Sequence, residues 1–66
     1  MIIYVNGAEQ ALNGPVALTA LLSDMGLVGK RVAVEINREI VPRAQHEARL
    51  LQDGDRIEIV QAIGGG

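Results

Sequence analysis

Cysteine is absent from this sequence, and so are phenylalanine and tryptophan; Tyr4 is the only aromatic residue and His46 the only histidine. Without a thiol there is no disulfide framework, no thiolate zinc site, no cysteine nucleophile and no side-chain persulfide. One histidine builds neither a metal site nor a nucleophile–base pair, and Thr19 and Ser23 are the only aliphatic hydroxyls. His46 is therefore expected to be a solvated surface residue. A surplus of positive charge is missing too: six basic and eight acidic residues are interspersed, for a net charge of -2. A nucleic-acid groove needs dense Lys and Arg and aromatic stacking platforms, so nucleic acid is excluded as a partner. A weakly acidic surface suits instead a protein with a basic docking face. No apolar run approaches the ~20 residues that span a bilayer, so no membrane span is expected. Residues 1–6 lack the basic start and cleavage site of a signal peptide, and the expected location is the cytoplasm.

What is present is a soluble-domain composition, 48% apolar and 21% charged over 66 residues. A chain this short buries roughly 60% of its unfolded surface, so one domain with a small core is expected over residues 1–66, with 62–66 a flexible tail. Ile2 to Asn6 alternates as a strand with Ile3 and Val5 inward. Asn6-Gly7 then signals a type I′ hairpin turn, which needs positive φ at both central residues. Ala8 to Leu12 is the polar partner strand, suited to a sheet edge. Leu18, Leu21, Leu22 and Met25 recur at i, i+3, i+4 and i+7, which predicts a helix over residues 17–25 closed by Gly26. Val32, Val34 and Ile36 alternate in a strand over 31–36, Asn37-Arg38-Glu39 turns the chain, and Ile40-Val41 is a short extended piece stopped by Pro42. Residues 44–51 fit either a loop with one helical turn or a short helix. Asp53-Gly54-Asp55 is a turn, and both carboxylates are read as turn chemistry. Arg56 to Gln61 is the last strand, with Ile57 and Ile59 inward. The simplest closure lays the helix across a mixed sheet of four or five strands, the last strand parallel to the first. That architecture is α+β, the β-grasp; an antiparallel α+β sandwich is the alternative.

With no side-chain constellation for catalysis, attention falls on Gly64-Gly65-Gly66. One reading is an inert tail, since termini are commonly disordered. The other is a carboxyl end that enters another protein's active site. Glycine lacks Cβ, so such an end threads a narrow cleft and leaves its carbonyl open to attack. The glycines follow the last strand directly through Ala62-Ile63, so a rigid sheet would project the arm. A carboxylate is a poor electrophile, and ATP-dependent adenylation by a partner is the obvious activation. A sulfur nucleophile displacing AMP then leaves a thiocarboxylate, which lets a chain without cysteine carry sulfur.

These features together resemble the ThiS-type sulfur carrier proteins of thiamine (thiazole) biosynthesis, a ubiquitin-like β-grasp family. The resemblance covers essentially the whole chain. It rests on the Asn6-Gly7 hairpin, the Leu21-Leu22 helix ending at Gly26, the stretch Ala33-Val34-Glu35-Ile36-Asn37-Arg38-Glu39-Ile40-Val41-Pro42-Arg43, the turn and strand from Gln52 to Ile59, and the glycine end. It implies that an E1-like adenylyltransferase activates Gly66, that a persulfide donor supplies sulfur, and that thiazole synthase receives it. The chain would then be no enzyme and hold no cofactor or metal, with ATP used by its partner. Gly66 would be the acyl carrier and Gly65 its required neighbour, with Gly64 and Ile63 completing the arm. The family often carries an aromatic near the position of His46, and the third glycine only lengthens the arm. Two other readings stand beside this one: a carrier like the small subunit of molybdopterin synthase, and a β-grasp binding module with an inert tail. Strand alternation also turns Ile2, Tyr4, Ala33, Glu35, Glu58 and Val60 outward. Ile2, Tyr4 and Val60, continued by Ala62, are expected to form an apolar partner-docking patch near the tail.

Overall fold

A computed structural model of the chain describes residues 1–61. The elements run β1 (Ile2–Val5), β2 (Ala8–Ala11), α1 (Leu18–Asp24), β3 (Val32–Ile36), β4 (Glu39–Ile40), a 3-10 turn (Arg43–Gln45) and β5 (Arg56–Gln61). They form one five-stranded sheet in the order β2-β1-β5-β3-β4. β5 is central: parallel to β1 through Tyr4↔Arg56 and Val5↔Ile57, and antiparallel to β3 from Ile36↔Ile57 to Val32↔Gln61. This is the β-grasp arrangement that the element order predicts.

Both hairpins turn on positive φ. Asn6 and Gly7 have φ of 50° and 85°, and Asn37 and Arg38 have 53° and 70°. These are type I′ values, whose twist matches that of the flanking strands. The second turn sets a non-glycine residue, Arg38, in the left-handed region.

Helix α1 has seven residues, too few to persist alone. It is held by packing: Leu18, Leu21 and Leu22 are buried against Ile3, Val5, Val34, Ile36, Ile57 and Ile59 of the sheet. No side chain caps its start. Backbone does this instead, because the Leu18 N–H donates to the Arg49 carbonyl at 2.9 Å and the Leu51 N–H donates to that of Val16 at 2.8 Å. The helix ends in a Schellman motif: Leu27 N–H donates to the Leu22 carbonyl, Gly26 N–H to that of Ser23, and Gly26 has φ of 74°. Met25, expected on the buried stripe, is instead the C-cap and is exposed, since the stripe runs out where the backbone leaves the helix.

Residues 44–51 resolve as a 3-10 turn and a loop, not a helix, and they reverse one expectation. His46 is not solvated; it is only 6% exposed. The turn after Pro42 folds the ring inward, where its Nε2–H donates to the Val41 carbonyl at 3.0 Å. Leu51 is fully buried in the core. Together they close the side of the core that the short helix leaves open.

Candidate functional site

The predicted site lies at the end of β5, so the first question is what fixes that strand. Two asparagines clamp it from opposite sides. Asn6 bonds to the β1-facing edge: its Oδ1 accepts from the Ile59 N–H at 2.8 Å and its Nδ2 donates to the Ile59 carbonyl at 3.2 Å. The side chain thus supplies the next rung of the ladder after β1 has turned away. Asn37 does the same on the β3 side, at the other end of the strand. Its N–H donates to the Arg56 carbonyl at 2.8 Å, and its Oδ1 accepts from the Arg56 N–H at 3.0 Å. Each asparagine opens a type I′ turn, where its left-handed backbone is tolerated.

The start of β5 is anchored by Asp53 and Asp55. The Asp53 carboxylate accepts from the Ile2 N–H at 2.7 Å, and the Gly54 N–H donates to the Ile2 carbonyl at 2.7 Å. Asp55 is only 5% exposed. Its carboxylate accepts from the Gln52 N–H at 2.8 Å and from Asn37 Nδ2 at 3.0 Å, and it pairs with Arg49 at 3.5 Å. The turn chemistry expected of these residues is present, and it also ties β5 to β1 and to the β3–β4 turn. Reading Asn6-Gly7 as a turn alone misses the Asn6 clamp. The signal for it is an asparagine at the end of a strand whose parallel neighbour runs two residues further.

Of the predicted site residues, Ala62, Ile63, Gly64, Gly65 and Gly66 lie outside the described residues. They follow directly on Gln61, which pairs with Val32. Ile2, Tyr4 and Val60 share the sheet face away from the helix, but they do not form one apolar patch. In the parallel pairing Tyr4 lies level with Arg56, so Val60 stands four residues further along β5, about 13 Å away. Arg56 stands beside Tyr4, and Glu58 lies between it and Val60. The Arg56 guanidinium sits over the Tyr4 ring, 5.0 Å from its centroid, so Tyr4 is engaged by a charged neighbour. Nearer the end of β5 the exposed apolar residues are Val60, 65% exposed, its cross-strand partner Ala33, and Ile40, 75% exposed. Ile40 is opposite Glu35 and so on the same face. It was not among the outward residues expected, although alternation in Ile40-Val41 requires one of the two to face out.

Among the described residues there is no group of three or more His, Cys, Asp or Glu side chains able to hold a metal ion. No helix there is long and apolar enough to cross a membrane.

Comparison with known proteins agrees with this geometry. The model of the ThiS family matches residues 3–66. A thiazole synthase of Paramagnetospirillum magneticum is 41% identical over 66 residues, all of this chain but 20% of that protein. A second thiazole synthase, from Magnetococcus marinus, is also matched over 20% of its length, so the chain spans about a fifth of these relatives. A sulfur carrier protein ThiS of Thermus thermophilus is 36% identical over 64 residues, 97% of this chain and 98% of that one. The crystal structure of the thiamine biosynthesis protein ThiS from Geobacter metallireducens superposes with a TM-score of 0.82 at 33% identity, covering both chains completely. With a family match that extends through the terminal glycines and a shared β-grasp fold, the chain belongs to the ThiS family.

Proposed function

We propose that this chain is a sulfur carrier of thiamine biosynthesis whose reactive group is the carboxyl of Gly66. The observation that carries the reading is the ThiS family match reaching residue 66, in a chain with no cysteine on which to hold sulfur. An E1-like partner transfers AMP from ATP to the Gly66 carboxylate and releases pyrophosphate. The terminal sulfur of a persulfide donor then attacks the acyl carbon, and AMP leaves. A thiol takes the donor's sulfur as a disulfide and frees the thiocarboxylate, which passes its sulfur to thiazole synthase. The chain contributes no acid or base to these steps. It contributes the residues Ile63 to Gly66, which follow in sequence on a central strand clamped by Asn6 and Asn37. Docking of the partners falls on the open sheet face. Val60, Ala33 and Ile40 supply the apolar contact nearest the arm, continued by Ala62, while Ile2 and Tyr4 lie further back.

The test is the intact mass of the 66-residue chain after incubation with a competent activating enzyme, ATP and a persulfide donor. Thiocarboxylate formation adds ~16 Da, as oxidation of Met1 or Met25 does, so an ATP-free control and a thiocarboxylate-selective alkylation are included. An ATP-dependent, alkylatable gain on Gly66 is expected. No gain with a competent enzyme and donor refutes the reading and leaves a binding module.

A further inference from the structure

The two edges of the sheet are not alike. At one edge β4 has only two residues and Pro42 follows close behind, so little ladder is offered there. At the other edge β2 has four residues, exposed except for half-buried Gln10, with no proline, lysine or bulge. Met1 and Leu12 exchange both backbone bonds, at 2.9 and 2.8 Å, and so form a hydrogen-bonded pair. Such pairs alternate along an antiparallel ladder: Ile3↔Gln10 and Val5↔Ala8 are the others, while Ile2↔Ala11 and Tyr4↔Glu9 exchange no bonds. Glu9 and Ala11 therefore point their N–H and C=O groups outward from the edge. None of these four groups has a partner among the described residues. None of the steps proposed above uses them.

The spacing of the free groups is self-complementary. We propose that β2 pairs antiparallel with β2 of a second copy of this chain, about a two-fold axis at Gln10. Glu9 of each copy then lies opposite Ala11 of the other. In each such pair the Glu9 N–H donates to the Ala11 carbonyl and the Ala11 N–H to the Glu9 carbonyl, and symmetry doubles the two bonds to four. Gln10 meets Gln10 of the second copy in a non-hydrogen-bonded pair, where side chains stand closest, and each amide N–H donates to the other's oxygen. Each Glu9 carboxylate faces an alanine, so no like charges are opposed. The same patch serves both copies, as a closed two-fold contact requires. Because β1 and β2 separate β5 from the axis, the contact leaves β5 and the open face beside Val60 uncovered. Two strands this short bury far less than the roughly 1,200 Å² of a stable interface, so the pairing is weak, with Kd on the order of 1 mM. The inference stands apart from the sulfur-carrier reading, since it uses only the strand order and the β1–β2 register.

The test is NMR and amide hydrogen exchange on the intact 66-residue chain between about 0.05 and about 5 mM. In dilute solution the Gln10 and Leu12 amides should be protected and those of Glu9 and Ala11 open. Raising the concentration should shift the Glu9 and Ala11 amides and slow their exchange about threefold. A mixture of isotope-labelled and unlabelled copies should show a contact between their Gln10 Hα protons. Gln10→Lys sets two ammonium groups on the axis and should weaken the pairing about tenfold. Ala11→Pro removes a free edge donor without touching the bonds to β1. The Gln10 and Leu12 amides should then stay protected while the concentration dependence disappears. No concentration-dependent change at Glu9 and Ala11 overturns the inference. So does a change confined to Val60 and Ile40, which places the association on the open face. Pairing undiminished in both variants overturns it as well. A response of Glu9 and Ala11 seen only when a different protein is added also overturns it, since the edge then takes a foreign strand.

Discussion

Replacing Asn6 should do more damage than replacing an exposed turn residue normally does. Its side chain makes two hydrogen bonds to the backbone of Ile59, 53 positions away. At about 1 kcal/mol net for each, losing both costs about 2 kcal/mol. In Asn6→Gly the left-handed backbone stays comfortable, and the extra freedom of the unfolded chain adds about 0.5–1 kcal/mol. In Asn6→Ala that term is replaced by a left-handed penalty of about 1–2 kcal/mol. Asn6→Asp keeps the acceptor for the Ile59 N–H but sets a carboxylate against the Ile59 carbonyl, for a loss of about 1–2 kcal/mol. The expected order of stability is therefore wild type, Asp, Gly, Ala. Urea midpoints measure it, and a loss of about 2.5 kcal/mol corresponds to a fall in Tm of about 10–20 °C for a domain this small. Hydrogen exchange locates the effect: the Ile59 amide, which faces Asn6, should lose protection more than that of Val60, which faces β3. If Asn6→Gly and Asn6→Asp both melt with the wild type and the Ile59 amide stays protected, the clamp contributes nothing and the argument fails.

Other substitutions test other parts of the fold. Leu51→Ala removes a fully buried side chain and should cost about 2–5 kcal/mol in urea unfolding. Asp55→Ala leaves the Gln52 N–H, Asn37 Nδ2 and Arg49 without their shared acceptor, and a loss of about 2–4 kcal/mol is expected by the same measurement. Arg38→Gly should stabilise by about 0.5–1 kcal/mol, because it relieves a left-handed arginine at a turn position that favours glycine. Gly66→Ala should leave the urea midpoint unchanged but slow ATP-dependent thiocarboxylate formation, since a methyl beside the reacting carbonyl crowds the attack; wild-type rates would argue against Gly66 as the acyl carrier.

Much of the sheet was legible because its strands alternate strictly. Ile3/Val5, Val34/Ile36 and Ile57/Ile59 each fix which face is buried, and a one-residue slip would expose them. Asn6-Gly7 marks the first hairpin and Asn37-Arg38-Glu39 the second turn, although an arginine stands there where glycine is usual. Residues 44–51 resisted reading because their order comes from distant backbone: Arg49 and Leu51 bond to the chain around α1, a contact with no local periodicity. His46 misled for the same reason, since its partner, the Val41 carbonyl, is presented only after Pro42 has turned the chain. At the site, the glycine end is plain in the sequence, but the asparagine clamps are not. They link positions 53 and 19 residues apart, and only the parallel β1–β5 pairing makes the first of them geometrically sensible.

The place of β5 in the middle of the sheet also has a consequence for synthesis. Without that strand the chain is two separate hairpins, β1–β2 and β3–β4, with no ladder between them. A two-stranded hairpin is marginal in water, so neither half holds structure alone. Pairing Tyr4 with Arg56 closes a loop of about 50 residues at an entropic cost of about 3.5 kcal/mol. A growing chain on the ribosome therefore cannot complete this sheet until Arg56 to Gln61 has emerged, by which time residues 62–66 are already made. The glycine arm is thus added to the very strand that finishes the fold, so a truncated product lacking β5 has neither a closed sheet nor an arm to offer a partner.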